Sequence, residues 1–76
     1  MSEVLFKKYV ILSRVKLLKP SVGEFLKMCS DLGIDPMALL SEVEVVNGRV
    51  KLTWDGEKLL SVVGVMLSEV RGNKHA

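Results

Sequence analysis

The sequence predicts a mostly helical α+β domain in which three N-terminal helices precede a β-hairpin and a C-terminal helix. Three observations support this prediction. A helix-capping signal begins at residue 21, Asn47-Gly48 separates two runs of β-prone residues, and apolar residues recur at helical spacing from residue 59 to residue 70. The 76 residues are expected to form a single domain, and a domain this small is only marginally stable alone.

The first element is predicted to be a helix over residues 3–18. Its apolar residues fall near helical spacing, at Val4, Leu5, Tyr9, Leu12 and Val15. Residues 9–12 are β-prone, so a strand over part of residues 9–18 is an alternative. Pro20 is expected to end the element, because proline disfavours the α conformation of the residue before it.

Two capping signals predict the next two helices. Ser21 and Glu24 match a capping box, so a helix is expected over residues 22–32, ended by the glycine that follows. Asp35 and Pro36 are the favoured N-cap and first residue of a helix. They predict a short third helix that ends at about residue 41 or 43.

Asn47-Gly48 predicts a β-hairpin with strands at about residues 43–46 and 49–54. Both residues tolerate positive φ, which a two-residue type I′ turn needs at both positions. Alternate residues of a strand share a face. One face of the second strand is therefore expected to carry Val50, Leu52 and Trp54, and the other Arg49, Lys51 and Thr53.

The last helix is predicted from about residue 54 to residue 70, with Thr53 as its cap and residues 71–76 as a flexible basic tail. It is apolar on nearly every face, which indicates burial on several sides. Four residues at steps of four, three and four predict a homodimer interface: Leu59, Val63, Met66 and Val70. Packing of these residues inside the monomer is the alternative. A dimer would also offset the small size of the domain.

Charge is distributed unevenly along the chain. Residues 1–20 carry a net charge of +4, residues 21–46 carry −4 and residues 47–76 carry +2. A surface that binds an anion is therefore expected on the N-terminal segment, the hairpin or the tail. Apolar residues make up 49% of the chain, and so rich a supply in a small domain predicts a protein-interaction surface.

The order of elements, a helix-turn-helix followed by a hairpin, resembles the winged-helix family. Cys29, Gly33 and Leu39 match the small residue, the turn glycine and the apolar residue of a helix-turn-helix. The pattern Leu52-Thr53-x-x-Gly56-x-x-Leu59-Leu60 resembles the end of the wing and the start of the next helix in small archaeal winged-helix proteins. The resemblance spans about residues 21–62 and implies a DNA-binding protein that regulates transcription.

The resemblance also implies that the short third helix enters the major groove of DNA. That helix would present Asp35, Pro36, Met37, Leu40 and Ser41, none of which is a usual direct reader of bases. Contacts with phosphates are expected instead, from Arg49 and Lys51 on the hairpin and from the N-terminal bases Lys7, Lys8, Arg14, Lys16 and Lys19. The alternative for both groups is an ordinary solvated face.

Nothing in the sequence predicts an enzyme. His75 and Cys29 are the only residues of their types, and they form neither a metal-binding set nor a nucleophile–base pair. No cofactor, metal or small-molecule ligand is therefore expected, and Cys29 is expected to be a buried core residue. The alternative to DNA binding is a protein-interaction or assembly subunit that uses its apolar C-terminal helix and never binds DNA.

A cytoplasmic location is expected. The longest uncharged run, Leu59–Ser68, has 10 residues, whereas a transmembrane helix needs about 20. No small-residue cleavage site follows the N-terminal apolar stretch, so a signal peptide is not expected. The single cysteine fits a reducing compartment.

Overall fold

Three α-helices and a two-stranded antiparallel sheet make up the part of the chain that the computed structural model describes, which is the backbone of residues 2–73 and the side chains of residues 2–69. The elements are α1 (Glu3–Leu18), α2 (Val22–Leu32), a 3-10 turn (Pro36–Leu39), β1 (Val43–Val46), β2 (Arg49–Leu52) and α3 (Trp54–Asn73). The prediction of a mostly helical α+β chain with a hairpin is confirmed.

The predicted third N-terminal α-helix is wrong, because Pro36–Leu39 form a single 3-10 turn. Asp35 caps this turn as expected, and its carboxylate accepts a hydrogen bond from the Met37 N–H at 2.9 Å. A longer helix is prevented by the β-branched run that follows. Val43–Val46 pair with β2, so the chain must be extended from residue 43 onward.

The first helix is continuous, so the alternative of a strand within residues 9–18 is not adopted. Ser2 caps α1 by accepting a hydrogen bond from the Leu5 N–H at 3.1 Å. The helix ends at Lys19, which has the left-handed φ of 45° and directly precedes Pro20. Its fully buried residues face the core: Ile11, Leu12 and Val15.

The second helix has the predicted bounds and caps. Both bonds of the capping box are present, from the Ser21 N–H to the Glu24 carboxylate (2.9 Å) and from the Glu24 N–H to the Ser21 hydroxyl (3.2 Å). Gly33 ends the helix with a φ of 69°. The N–H of Ile34 then bonds back to the Cys29 carbonyl oxygen at 3.0 Å, which satisfies the last turn.

The hairpin turn is the one that Asn47-Gly48 predicts, with φ of 51° and 76° at its two residues. The strands pair in register, with Val46 opposite Arg49 and Val43 opposite Leu52. The second strand ends at Leu52, two residues earlier than predicted, because Thr53 already caps α3. Trp54 therefore does not share the buried face of Val50, and its side chain is 73% exposed.

A compact junction joins the hairpin to α3. The Thr53 hydroxyl accepts a hydrogen bond from the Gly56 N–H (3.1 Å) and donates one to the Ser41 carbonyl oxygen (2.6 Å). A Cβ built on Gly56 would overlap the carbonyl oxygen of Glu42. The structure thus explains two residues of the Leu52-Thr53-x-x-Gly56 pattern. Thr53 caps α3, and Gly56 leaves room for the backbone of Glu42.

The hairpin is anchored to the segment between α1 and α2. The Val50 N–H donates to the Pro20 carbonyl oxygen at 2.8 Å, and Ser21 forms an isolated antiparallel bridge with Arg49. This contact covers the outer edge of β2. It also places β2 against the C-terminal end of α1.

One core lies between α1, α2, the 3-10 turn and β2, and it contains Ile11, Leu12, Val15, Phe25, Cys29, Ile34, Leu39 and Val50. Burial of Cys29 confirms the expected role of that residue.

The last helix continues to Asn73, three residues beyond the predicted end, while residues 74–76 of the predicted tail lie outside the described part. Within residues 2–73 no helix combines the length and the hydropathy needed to cross a membrane.

Candidate nucleic-acid interface

The second strand carries the two hairpin bases that were predicted to contact phosphates. Arg49 and Lys51 are exposed, and Val50 between them is buried. The Arg49 Nη1 atom lies 3.8 Å from the Glu24 Oε1 atom, and both side chains are more than half exposed. An ion pair this long and exposed contributes little to stability, so Arg49 remains available to an anion.

Lys51 forms part of a basic groove between the C-terminal end of α1 and the hairpin. This groove has a volume of about 380 Å³ and is lined by Val15, Lys16, Lys19, Lys51, Leu52 and Glu57. The bases come from two elements, and Lys19 is the left-handed residue that ends α1. Three ammonium groups and one carboxylate give the groove a net charge of +2.

One ion pair already lies in the basic groove. The Lys16 Nζ atom is 3.0 Å from a Glu57 carboxylate oxygen, with side chains 54% and 49% exposed. An exposed pair of this kind is worth about 0–1 kcal/mol. A phosphate could therefore replace the Glu57 carboxylate as the partner of Lys16 at small cost.

The remaining N-terminal bases lie away from the basic groove. Lys8 pairs with Glu42 at 3.3 Å, and the two side chains are only 23% and 13% exposed. Lys7 pairs with Glu3 at 3.3 Å. Its Nζ atom also lies beside Gly33, at the C-terminal end of α2, where the helix dipole favours a cation. Arg14 is exposed and does not line the groove.

The structure therefore divides the predicted phosphate-binding set. It brings Lys16, Lys19 and Lys51 together, keeps Arg49 nearby on the same strand, and places the other bases elsewhere. The i, i+3 spacing of Lys16 and Lys19 at a helix end was the available sequence signal for this grouping. The approach of Lys51 depends on the pairing of Pro20 with β2, which no local pattern predicts.

The 3-10 turn presents apolar side chains where the resemblance implied a recognition helix. Met37 and Leu40 are both exposed, and Asp35 is occupied in capping. A single turn also lacks the length of a helix that lies along the major groove. The turn thus provides no donor or acceptor set for reading bases.

The residues predicted to form a dimer interface are divided between the core and the surface. Val63 is 1% exposed, and Leu59 packs against the core, so both serve the monomer. Met66 is 40% exposed, while the side chain of Val70 lies outside the described part. The exposed apolar side chains of α3 beyond its first turn form a neighbouring stripe of Val62, Val65 and Met66.

Cys29, the single cysteine of the chain, is buried. Burial raises the pKa of the Cys29 thiol, and the Asp35 carboxylate adds to this effect, so the thiol stays protonated and unreactive at neutral pH. Among the described side chains, no group of three or more His, Cys, Asp or Glu residues is placed to hold a metal ion.

No protein-family model, no curated protein sequence and no solved structure matches the chain. The resemblance of residues 21–62 to winged-helix proteins therefore stays a prediction, and the basic groove is the feature that bears most directly on function.

Proposed function

We propose that the protein is a non-enzymatic, winged-helix-like nucleic-acid-binding protein with a role in transcription regulation, and that its basic groove holds the phosphate backbone of duplex DNA. The observation that carries this proposal is the convergence of Lys16, Lys19 and Lys51 on one open groove. Arg49 extends the positive surface along β2. Lysines bind phosphates as point charges, so the groove supplies affinity without reading sequence.

The anchoring of the hairpin supports the winged-helix-like arrangement. The extended segment at Pro20 and Ser21 pairs with β2 and so acts as a third, very short strand between the first two helices. Because of this pairing, the wing lies against α1 and does not project freely. Lys51 thereby approaches the basic residues at the end of α1. The proposal includes the cytoplasmic location that the sequence predicts.

Binding to duplex DNA at several salt concentrations tests the proposal. Lys19→Gln and Lys51→Gln are each expected to weaken binding and to lower the slope of log K against log salt by about 1, the loss for one phosphate contact. Duplexes of different sequence should bind with similar affinity, because the 3-10 turn carries no direct readers.

Lys58→Gln provides a matched control for these variants. The Lys58 Nζ atom lies over the Trp54 ring, 5.1 Å from its centroid, and the residue does not line the basic groove. The control removes the same charge and should change binding much less. Absence of binding at low salt would refute the proposal. If Lys58→Gln loses as much DNA affinity as the groove variants, the basic groove is not the binding site.

The second candidate function is a protein-interaction or assembly subunit, and the apolar stripe on α3 favours it. Val62, Val65 and Met66 are exposed by 40% or more at helical spacing, next to the buried Val63. Such a stripe suits a helix-to-helix homodimer contact. This interface would use a face of α3 next to the one that the sequence predicts. Met66 belongs to both faces.

Sedimentation equilibrium distinguishes a monomer from a homodimer that forms through the α3 stripe. A dimer at micromolar concentration is expected if the α3 stripe is an interface, and Val65→Glu should convert it to a monomer by placing a charge in the contact. Val22→Glu is the control, because Val22 is a similarly exposed valine on α2. A parent protein that is monomeric at these concentrations would contradict this candidate.

A further inference from the structure

An apolar groove with no lining residue in common with the basic groove lies between α2, the 3-10 turn and the hairpin. Its exposed walls are Val22 and Leu26 of α2, Met37 and Leu40 near the 3-10 turn, and Val45 of β1. Its volume is about 280 Å³, and Phe25 and Val50 form its buried floor.

The backbone of β1 borders this apolar groove with an unpaired edge. The Thr53 N–H bonds the Glu42 carbonyl oxygen, so alternation directs the backbone groups of Glu44 toward β2 and those of Val43 and Val45 away from it. On the outer edge of β2, the Val50 N–H already donates to the Pro20 carbonyl oxygen. In the described part of the chain, no backbone hydrogen bond from outside the hairpin reaches Val43 or Val45.

The side chains of β1 define what an added strand would contact. Val43 and Val45 share the face that lines the apolar groove, whereas Glu44 lies on the opposite face, across from Lys51. An added strand would therefore alternate between apolar residues over the groove and a residue beside the Glu44 carboxylate. A basic residue at that position complements the charge.

A second copy of this chain suits the edge poorly. The antiparallel register that lets Val43 and Val45 of both copies bond pairs Val43 with Val45 of the other copy, and it places Glu44 directly opposite Glu44. Like charges directly opposite each other destabilise a strand pair. The edge thus favours a partner of different sequence.

We propose that β1 binds an extended segment of a partner protein in which apolar and basic residues alternate. The segment adds a strand to the hairpin, forms backbone hydrogen bonds with Val43 and Val45, and inserts its apolar side chains between β1, Leu26 and Met37. This is strand addition, in which main-chain bonds supply affinity and alternate side chains supply specificity. It is independent of phosphate binding at the basic groove.

A synthetic seven-residue peptide of alternating lysine and valine tests the proposal by amide NMR of the full chain. We expect saturable shifts at the amides of Val43 and Val45. Methylation of the peptide nitrogens that face β1 should weaken binding by about tenfold or more, since it removes the bonding N–H groups. Methylation of the opposite nitrogens is the matched control and should have little effect.

Two variants of the protein complete the test. Val45→Pro removes an outward N–H while sparing the bonds to β2, a substitution that edge strands tolerate, and it should abolish binding. Glu44→Lys should reverse the charge preference, so that an alternating glutamate–valine peptide binds better than the lysine peptide. Binding that is unaffected by peptide methylation, or that follows charge without shifts at β1, would overturn the proposal.

Discussion

Gly56 lies in the first turn of α3, directly against the backbone of Glu42, whose carbonyl oxygen accepts a hydrogen bond from the Thr53 N–H. A side chain at this position would have to displace backbone that is already fixed by the start of the hairpin. Gly64, in the middle of the same helix, has no neighbour within 4 Å of an added Cβ. The two glycines therefore have different consequences for stability.

Gly56→Ala is expected to destabilise the fold by about 1–3 kcal/mol, because the added methyl group must push the hairpin and α3 apart. Gly64→Ala is the control and is expected to stabilise it by about 0.5–1 kcal/mol through helix propensity. Urea denaturation of both variants measures the difference. A neutral Gly56→Ala would contradict the close approach of α3 to Glu42.

Glu24 provides a prediction about pH. The backbone N–H of Ser21 lowers the pKa of this carboxyl most, followed by the Ser21 hydroxyl and, least, by Arg49. Because the folded pKa is lowered, the stabilisation is present above the ordinary pKa of glutamate and is lost as the pH falls through the lowered value. The stability advantage of the parent over Glu24→Gln should therefore disappear in acid.

Carboxyl NMR titration checks the causes of this shift. Ser21→Ala keeps the backbone donor and should raise the pKa of Glu24 only part of the way to its ordinary value. Arg49→Ala should raise it less. A larger rise in Arg49→Ala than in Ser21→Ala would mean that the ion pair, not the capping box, determines the pKa.

At the scale of elements, two ion pairs connect α1 to later parts of the chain. The Lys8–Glu42 pair is mostly buried, and the Lys16–Glu57 pair is about half exposed. Partial burial limits screening by water and salt, so the first pair should hold α1 against the start of the hairpin more strongly than the second holds it against α3.

Double-mutant cycles should separate these pairs. With Lys8→Met and Glu42→Gln, the expected coupling energy is about 1 kcal/mol or more, whereas Lys16→Met and Glu57→Gln should give about 0–0.5 kcal/mol. Urea denaturation at low and high salt provides the measurement. Equal couplings, or a coupling of Lys8 with Glu42 that vanishes in salt, would argue against a structural role for that pair.

At the scale of the whole molecule, local signals predicted the bounds of α2 and the hairpin turn, and they predicted contacts between elements poorly. The capping box and the hairpin turn each depend on residues that are close in sequence, Ser21 with Glu24 and Asn47 with Gly48. The local sequence is therefore sufficient to predict both features. Lys8 and Glu42 are 34 residues apart, and their pairing depends on the assembled core.

The last helix shows the same limit of local patterns. It is apolar on nearly every face, so periodicity alone could not tell which side packs inward. The structure buries Val63 and leaves its neighbour Val62 exposed. The basic groove depended likewise on packing, because Lys51 meets α1 only through the contact of β2 with Pro20.

The molecule is elongated, 46 × 23 × 19 Å. The dependence of its thermal stability on protein concentration can therefore show whether a second copy covers the α3 stripe. A helix of 20 residues is about 30 Å long, which is more than the small core covers. If a second copy covers Val62, Val65 and Met66, folding is linked to association, and the Tm should rise by several degrees over a hundredfold increase in protein concentration. Val65→Glu should remove this dependence, while Val22→Glu should keep it. A Tm independent of concentration in the parent would show that the stripe remains exposed in a stable monomer.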